Sequence, residues 1–223
     1  MTNTITLNNS YLDLPINTGK LKKFGIYTKI LGSMYSQIHA LLSHHSRITI
    51  AAFNLHLPVT EFIPPLSSNQ LVTEFFKRAK EQLGKAQWGS HKNAIHFWAR
   101  EVGETEKGHY HCFIGLRHSM LRPGGISSKG YTGIWKLLEN LWKELVGGSV
   151  RPTKYHTVNR GNLIELGKAF YHLSYAAKVR DKDFGTGEKH KRFSASRLKL
   201  KEKKCQRPDR SRQQELLQDF FVA

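Results

Sequence analysis

Gly108-His109-Tyr110-His111-Cys112-Phe113-Ile114-Gly115-Leu116 is the stretch on which the fold turns. It reads as a strand, and in a strand alternate side chains point the same way. His109 and His111 then project from one face, about 6–7 Å apart along the chain. Tyr110, Cys112 and Ile114 take the other face. Two imidazoles at that separation can converge on one divalent ion. In a chain with twelve histidines the same spacing also arises by chance. A structural zinc site is a poor fit, because no cysteine pair accompanies the histidines.

Immediately upstream, residues 94–102 read as a second strand. The polar, Gly-bounded connection Gly103-Glu104-Thr105-Glu106-Lys107 makes the two a hairpin. Glu101 sits near its turn. Opposed residues share a face, so Glu101 joins His109 and His111 only if the register pairs it with an odd-numbered residue. That requires a loop of odd length after Val102. If Glu101 instead opposes Tyr110, it points away, and Glu104 and Glu106 are the remaining carboxylates.

Working further outward, residues 21–44 predict a helix from the spacing of Ile26, Ile30, Met34, Ile38 and Leu41. Residues 47–57 are apolar on both faces, which suits a central strand stopped by Pro58. A helix is expected from Ser67 or Ser68 to Leu83, burying Leu71, Phe75, Ala79 and Leu83. Another is expected over 132–146, with a short strand near 154–158 and a last helix over 162–179. The order is helix, strand, helix, strand, strand, helix, strand, helix. This predicts an α+β fold, an antiparallel sheet covered by helices. Residues 1–20 read as a flexible arm or an irregular lead-in, 21–180 as the domain, and 181–223 as a basic C-terminal segment.

The 162–179 helix carries a second constellation. Tyr171, Tyr175 and Lys178 follow at spacings of four and three, which places them on one helical stripe. Leu166, Phe170, Leu173 and Ala177 form the neighbouring buried stripe. Read alone, the tyrosines are boundary aromatics and the lysine a solvated charge. Beside a metal site they suit phosphodiester chemistry. A phenol attacks and forms a covalent intermediate, the ion polarises the phosphate, and the lysine stabilises developing charge.

Bulk properties narrow the partner. Thirty-five Lys and Arg against seventeen Asp and Glu give a formal charge of +18. A domain this basic works against a polyanion, with nucleic acid first and an anionic membrane second. The basic residues do not fall on one amphipathic helix, and no apolar run is long enough to span a bilayer. Cys112 and Cys205 lie far apart, so no disulfide framework is expected and a cytoplasmic location is the default. Residues 1–20 lack the layout of a signal peptide. From Lys178 to Arg212 there are fourteen Lys or Arg. This segment reads either as a solvated run or as an arm tracking phosphates, with Lys189, Lys191, Arg192, Arg197 and Lys199 as its DNA contacts. Trp88, Phe97, Trp98 and Tyr131 read first as core and second as stacking platforms for unpaired bases. No Gly-x-x-x-x-Gly-Lys-[Ser/Thr] loop indicates a fused helicase.

Taken together, these segments resemble the HUH endonuclease superfamily, in particular rolling-circle replication initiators of inovirus-type phages and the prophage YagK/YfjJ-type domain. Asn54-Leu55-His56-Leu57-Pro58 looks like the first motif. Trp98-Ala99-Arg100-Glu101 with Gly108-His109-Tyr110-His111 looks like the second, and Phe170 through Lys178 like the third. Lys191-Arg192-Phe193-Ser194-Ala195-Ser196-Arg197 resembles a basic trailing segment. The resemblance covers about residues 20–200. It implies a ferredoxin-like or RRM-like core with the histidines on a central strand. It also implies Mg²⁺ or Mn²⁺ held by His109, His111 and Glu101, and nicking of single-stranded origin DNA through a 5′-phosphotyrosine. A free 3′-hydroxyl would then be left for a polymerase, with a host helicase unwinding. Both family tyrosine positions are filled, by Tyr171 and Tyr175. Tyr175 ranks first because it also belongs to the shorter Tyr-x-x-Lys pattern. Asn54 departs from the family, which implies an acidic residue there. A transposase or relaxase, a non-catalytic prophage regulator, and an RNA-binding protein are the other readings.

Overall fold

β1 (Arg47–His56), β2 (Ile95–Glu101), β3 (His109–Arg117), β4 (Ser149–Asn159) and β5 (Phe193–Ala195) form a five-stranded sheet. Their order is β4-β1-β3-β2-β5, and every neighbouring pair is antiparallel. Four helices accompany it: α1 (Thr28–His44), α2 (Pro65–Leu83), α3 (Gly133–Val146) and α4 (Leu163–Ser174). The computed structural model describes residues 4–20, 24–58, 65–101, 109–118, 124–128, 130–180 and 191–202. The path β1-α2-β2-β3-α3-β4 with strand order 4-1-3-2 is the ferredoxin-like split βαβ arrangement. The α+β expectation therefore holds.

The sheet is covered on both faces, which explains why β1 reads as apolar throughout. Ile48, Ile50 and Ala52 pack with Leu31, Met34 and Leu41 of α1 and with Phe170 and Leu173 of α4. Ala51, Phe53 and Leu55 pack with Phe75 and Phe76 of α2 and with Trp135 and Trp142 of α3. The end of β1 is fixed by a close approach. Trp142 Nε1 donates to the His56 carbonyl at 2.8 Å. A Cβ on Gly148 would lie 2.3 Å from that same oxygen, so only glycine fits at the entry to β4.

Four sequence expectations need correction. Residues 4–20 are not a detached arm in this structure. Ile5–Thr6 pairs with Ile26–Tyr27, and Leu14 and Ile16 are buried in the α1–α4 core. The strand expected near 154–158 runs from Ser149 to Asn159, with a bulge between Pro152 and Lys154. It is a sheet edge, so exposed charges alternate along it and hide the pattern. Residues 193–195, assigned to a basic tail, are β5, hydrogen-bonded to β2. From there the chain is strapped along α1, where Gln37 Oε1 accepts from Leu198 N at 2.9 Å and Ser43 Oγ accepts from Lys201 N at 2.8 Å. Finally, α4 ends at Ser174. Tyr175–Ala177 is a 3₁₀ turn, and Lys178 forms an antiparallel bridge with Ile26.

Candidate metal centre

The hairpin register decides the site. Glu101 pairs with His109, and Ala99 pairs with His111. Residues 102–108 intervene, an odd-length connection that lies outside the described residues. Glu101, His109 and His111 therefore share one face, as do Ala99 and Phe113, which pack on the α1–α4 side.

Their donor atoms converge. One ligand atom from each of the three lies within 4.8 Å of the others. His109 Nε2 and His111 Nε2 are 3.3 Å apart. Glu101 Oε2 is 3.7 Å from His109 Nε2 and in hydrogen-bond contact with His111 Nε2. Adjacent ligands of an octahedral ion with bonds of about 2.1 Å sit about 3 Å apart. The group fits such an ion and can hold a metal. It is the only set of three such groups among the described residues.

Neighbours prepare these ligands. His111 Nδ1 donates to Asn54 Oδ1 at 2.9 Å. With an ion in place of the Glu101 contact at Nε2, that bond would hold the tautomer whose bare Nε2 ligates, which is how partners around a metal usually orient an imidazole. The resemblance implied an acidic residue at this position, and the Asn54 amide oxygen makes the contact instead. The His56 ring stacks on His109 at 5.4 Å with planes 12° apart. Burial first, then the neighbouring His111, pushes the His109 imidazole down to about 4. A neutral imidazole is the ligating form.

Glu101 is 5 % exposed and Lys178 is 4 % exposed. Lys178 Nζ lies 2.6 Å from Glu101 Oε1 and donates to the Tyr175 hydroxyl at 2.8 Å. Burial alone would raise the Glu101 carboxyl, but His111 and Lys178 hold it well below the usual carboxylate range. Burial would lower the Lys178 ammonium, but Glu101 and Tyr175 overcome it and raise it. The tight turn explains the reach. In a 3₁₀ turn side chains at i and i+3 eclipse, which stacks Tyr175 over Lys178. Both ends of the turn are fixed. Ser174 Oγ accepts from Asn17 N at 2.8 Å, and Val179 N donates to Gly25 O at 2.8 Å. The Tyr175 ring meets His111 edge-on at 5.8 Å. A cavity of about 240 Å³ opens beside them, lined by Asn54, His111, Thr153, His172 and Tyr175 among others.

Tyr171 is the exception. The expectation that it shares the site with Tyr175 assumes an unbroken helical stripe. Its ring is 46 % exposed and lines a separate groove with Lys154, Lys168 and His172. The basic segment also divides. Arg192 is buried, and its carbonyl accepts from Arg100 N at 2.8 Å, so it is not part of an exposed arm. Lys191, Arg197 and Lys199 are exposed, and Lys189 lies outside the described residues. Phe97 and Trp98 are buried in the core, as the first of their two readings has it. Sequence reasoning missed the pair of buried His156 and half-buried His172, joined at 2.9 Å across β4 and α4. Only a long β4 would have signalled it.

The fold and site define an α+β protein with a two-histidine, one-carboxylate metal-competent centre under a tyrosine turn. The chain belongs to the YagK/YfjJ C-terminal domain family, whose model matches residues 14–196. That span takes in both the packed lead-in from Leu14 and the fifth strand. Neither a search of curated proteins nor one of solved structures finds a match. Among the described residues, no helix is long and apolar enough to cross a membrane.

Proposed function

We propose that this protein is a metal-dependent nicking and joining enzyme of the HUH type that acts on single-stranded DNA to initiate rolling-circle replication. The observation that carries this reading is Lys178, which hydrogen-bonds the Tyr175 phenol and pairs with Glu101 of the metal-competent group. That link puts a phenol, a cation and the three metal-competent side chains in one place.

Glu101, His109 and His111 would hold Mg²⁺ or Mn²⁺, which supplies positive charge to the scissile phosphate. The Tyr175 oxygen attacks phosphorus as its proton passes to solvent. The Lys178 ammonium stabilises the phenolate that forms. The bond between phosphorus and the 3′ oxygen breaks, and that oxygen takes a proton from water. The products are a 5′-phosphotyrosine and a free 3′-hydroxyl. Attack by a 3′-hydroxyl reverses the step and joins strands. A host polymerase would extend the freed end while a host helicase unwinds the duplex. The +18 charge favours the polyanionic substrate.

The test is an SDS-stable adduct. Wild-type protein with Mn²⁺ and single-stranded DNA from the element's own origin is expected to give one, and Tyr175→Phe none. Tight binding with no adduct on any origin would favour the non-catalytic regulator.

A further inference from the structure

Beside the metal centre, the face between β4 and α4 carries a groove of about 690 Å³, within the range of small-ligand sites. Its lining has two chemistries and no carboxylate. Lys154 and Lys168 supply cations. Leu163, Ile164 and Tyr171 supply apolar surface, at 70 %, 71 % and 46 % exposed. Eight large apolar residues are exposed among the described ones, and three of them meet here. Cations beside an uncovered aromatic and aliphatic surface are how proteins take unpaired nucleotides, with phosphate on the lysines and base on the ring.

The groove adjoins the chemistry. Asn17 and His172 line both this groove and the cavity beside His111 and Tyr175. A strand whose phosphate sits at Tyr175 would pass beside it. Tyr171, one turn before Tyr175, faces the groove instead of the ligands.

We propose that this groove is a nucleotide subsite for single-stranded DNA flanking the cleaved bond, in which Tyr171 is a stacking platform and Lys154 and Lys168 hold backbone phosphate. The inference rests on the nicking reading for the identity of its ligand, but its test needs no chemistry. Fluorescence anisotropy with a labelled single-stranded oligonucleotide of randomised sequence is measured in EDTA, on the full chain. Lys154→Ala with Lys168→Ala is expected to weaken binding at least tenfold. It should also lower the salt slope by about 1.4, at about 0.7 for each phosphate no longer neutralised. Tyr171→Ala is expected to weaken binding about 5- to 150-fold, and Tyr171→Phe to restore most of that affinity, because the ring and not the hydroxyl is used. These side chains are exposed or at the groove surface, and thermal melting confirms each variant is folded. Wild-type binding in both the double-lysine variant and Tyr171→Ala overturns the subsite, as does failure of the wild-type chain to bind. A drop in Tyr171→Phe equal to that in Tyr171→Ala overturns the platform. If the variants weaken binding but no adduct ever forms, the groove stands and the nicking reading falls. If an adduct forms at Tyr175 while the variants bind normally, the reverse holds.

Discussion

The two ends of the sheet both gather histidines, and among the described residues only one of them makes a group that could hold a metal ion. Where β1 and β2 finish and β3 begins, His109 and His111 converge on Glu101. Where β1 begins and β3 finishes, His45 and His91 line a small cavity with Lys92 and Arg117, and no carboxylate lines it. His118 bonds Thr49 nearby at 2.9 Å. Burial, then Arg117, lowers the His45 and His91 imidazoles. At the first end a carboxylate supplies the negative charge that a divalent ion needs. At the second, fixed cations repel one. Histidine density alone therefore says little, and the carboxylate decides.

Substitution can break this contrast. His111→Ala is expected to weaken Mn²⁺ binding more than 100-fold by calorimetry, since even residues that only orient a ligand cost about 10- to 100-fold. His91→Ala should leave Mn²⁺ affinity unchanged. Comparable effects from the two would erase the distinction between the ends. Asn54→Ala is expected to cost about tenfold in the same measurement, because His111 is left without its tautomer-fixing partner. Asn54→Asp should tighten binding instead, as a carboxylate makes the imidazole a stronger ligand.

Lys178→Met sharpens the contrast through stability. It strands the buried Glu101 carboxylate without its ammonium. Breaking a buried pair from one side costs about 3–5 kcal/mol. Urea unfolding without metal should show that destabilisation, and saturating Mn²⁺ should shrink it by neutralising Glu101. A destabilisation unchanged by metal would mean that Glu101 is not a ligand.

The smallest effect is on pH dependence. Burial pushes His96, His109 and His156 each down to about 4 from an ordinary 6.5. The unfolded chain therefore binds more protons than the folded one below about pH 6.5. Stability is full above that value and falls as pH drops toward 4. The metal-free protein should lose Tm between pH 7 and 5, with each of the three rings contributing at most about 2 kcal/mol, or roughly 4–8 °C for a chain of this size. A flat or rising Tm would contradict the neutral burial of these rings.

Much of this was legible in the chain, for reasons that particular residues make plain. The His109–His111 alternation was readable because strand periodicity is a strict two, whereas Glu101 joined the histidines only on a register that the structure supplies. The apolar runs of β1, α2 and α3 were visible because both sheet faces are covered. The tyrosine turn was not. Ser174-Tyr175-Ala176-Ala177 carries no helix breaker, and the change to a 3₁₀ turn is imposed by contacts with Asn17, Gly25 and Ile26, far away in sequence. β5 is only three residues long and sits behind Lys191 and Arg192, so its charge masked it. The lead-in hid for a related reason, with Leu14 and Ile16 isolated among polar residues.

The most direct test is to identify the tyrosine joined to DNA. After reaction with Mn²⁺ and single-stranded origin DNA, nuclease and protease digestion with mass spectrometry should find the phosphonucleotide on the peptide carrying Tyr175, at Tyr175 itself. Attachment at Tyr171, or none in the wild-type protein, would contradict the assignment of Tyr175 to the centre formed by Glu101, His109 and His111.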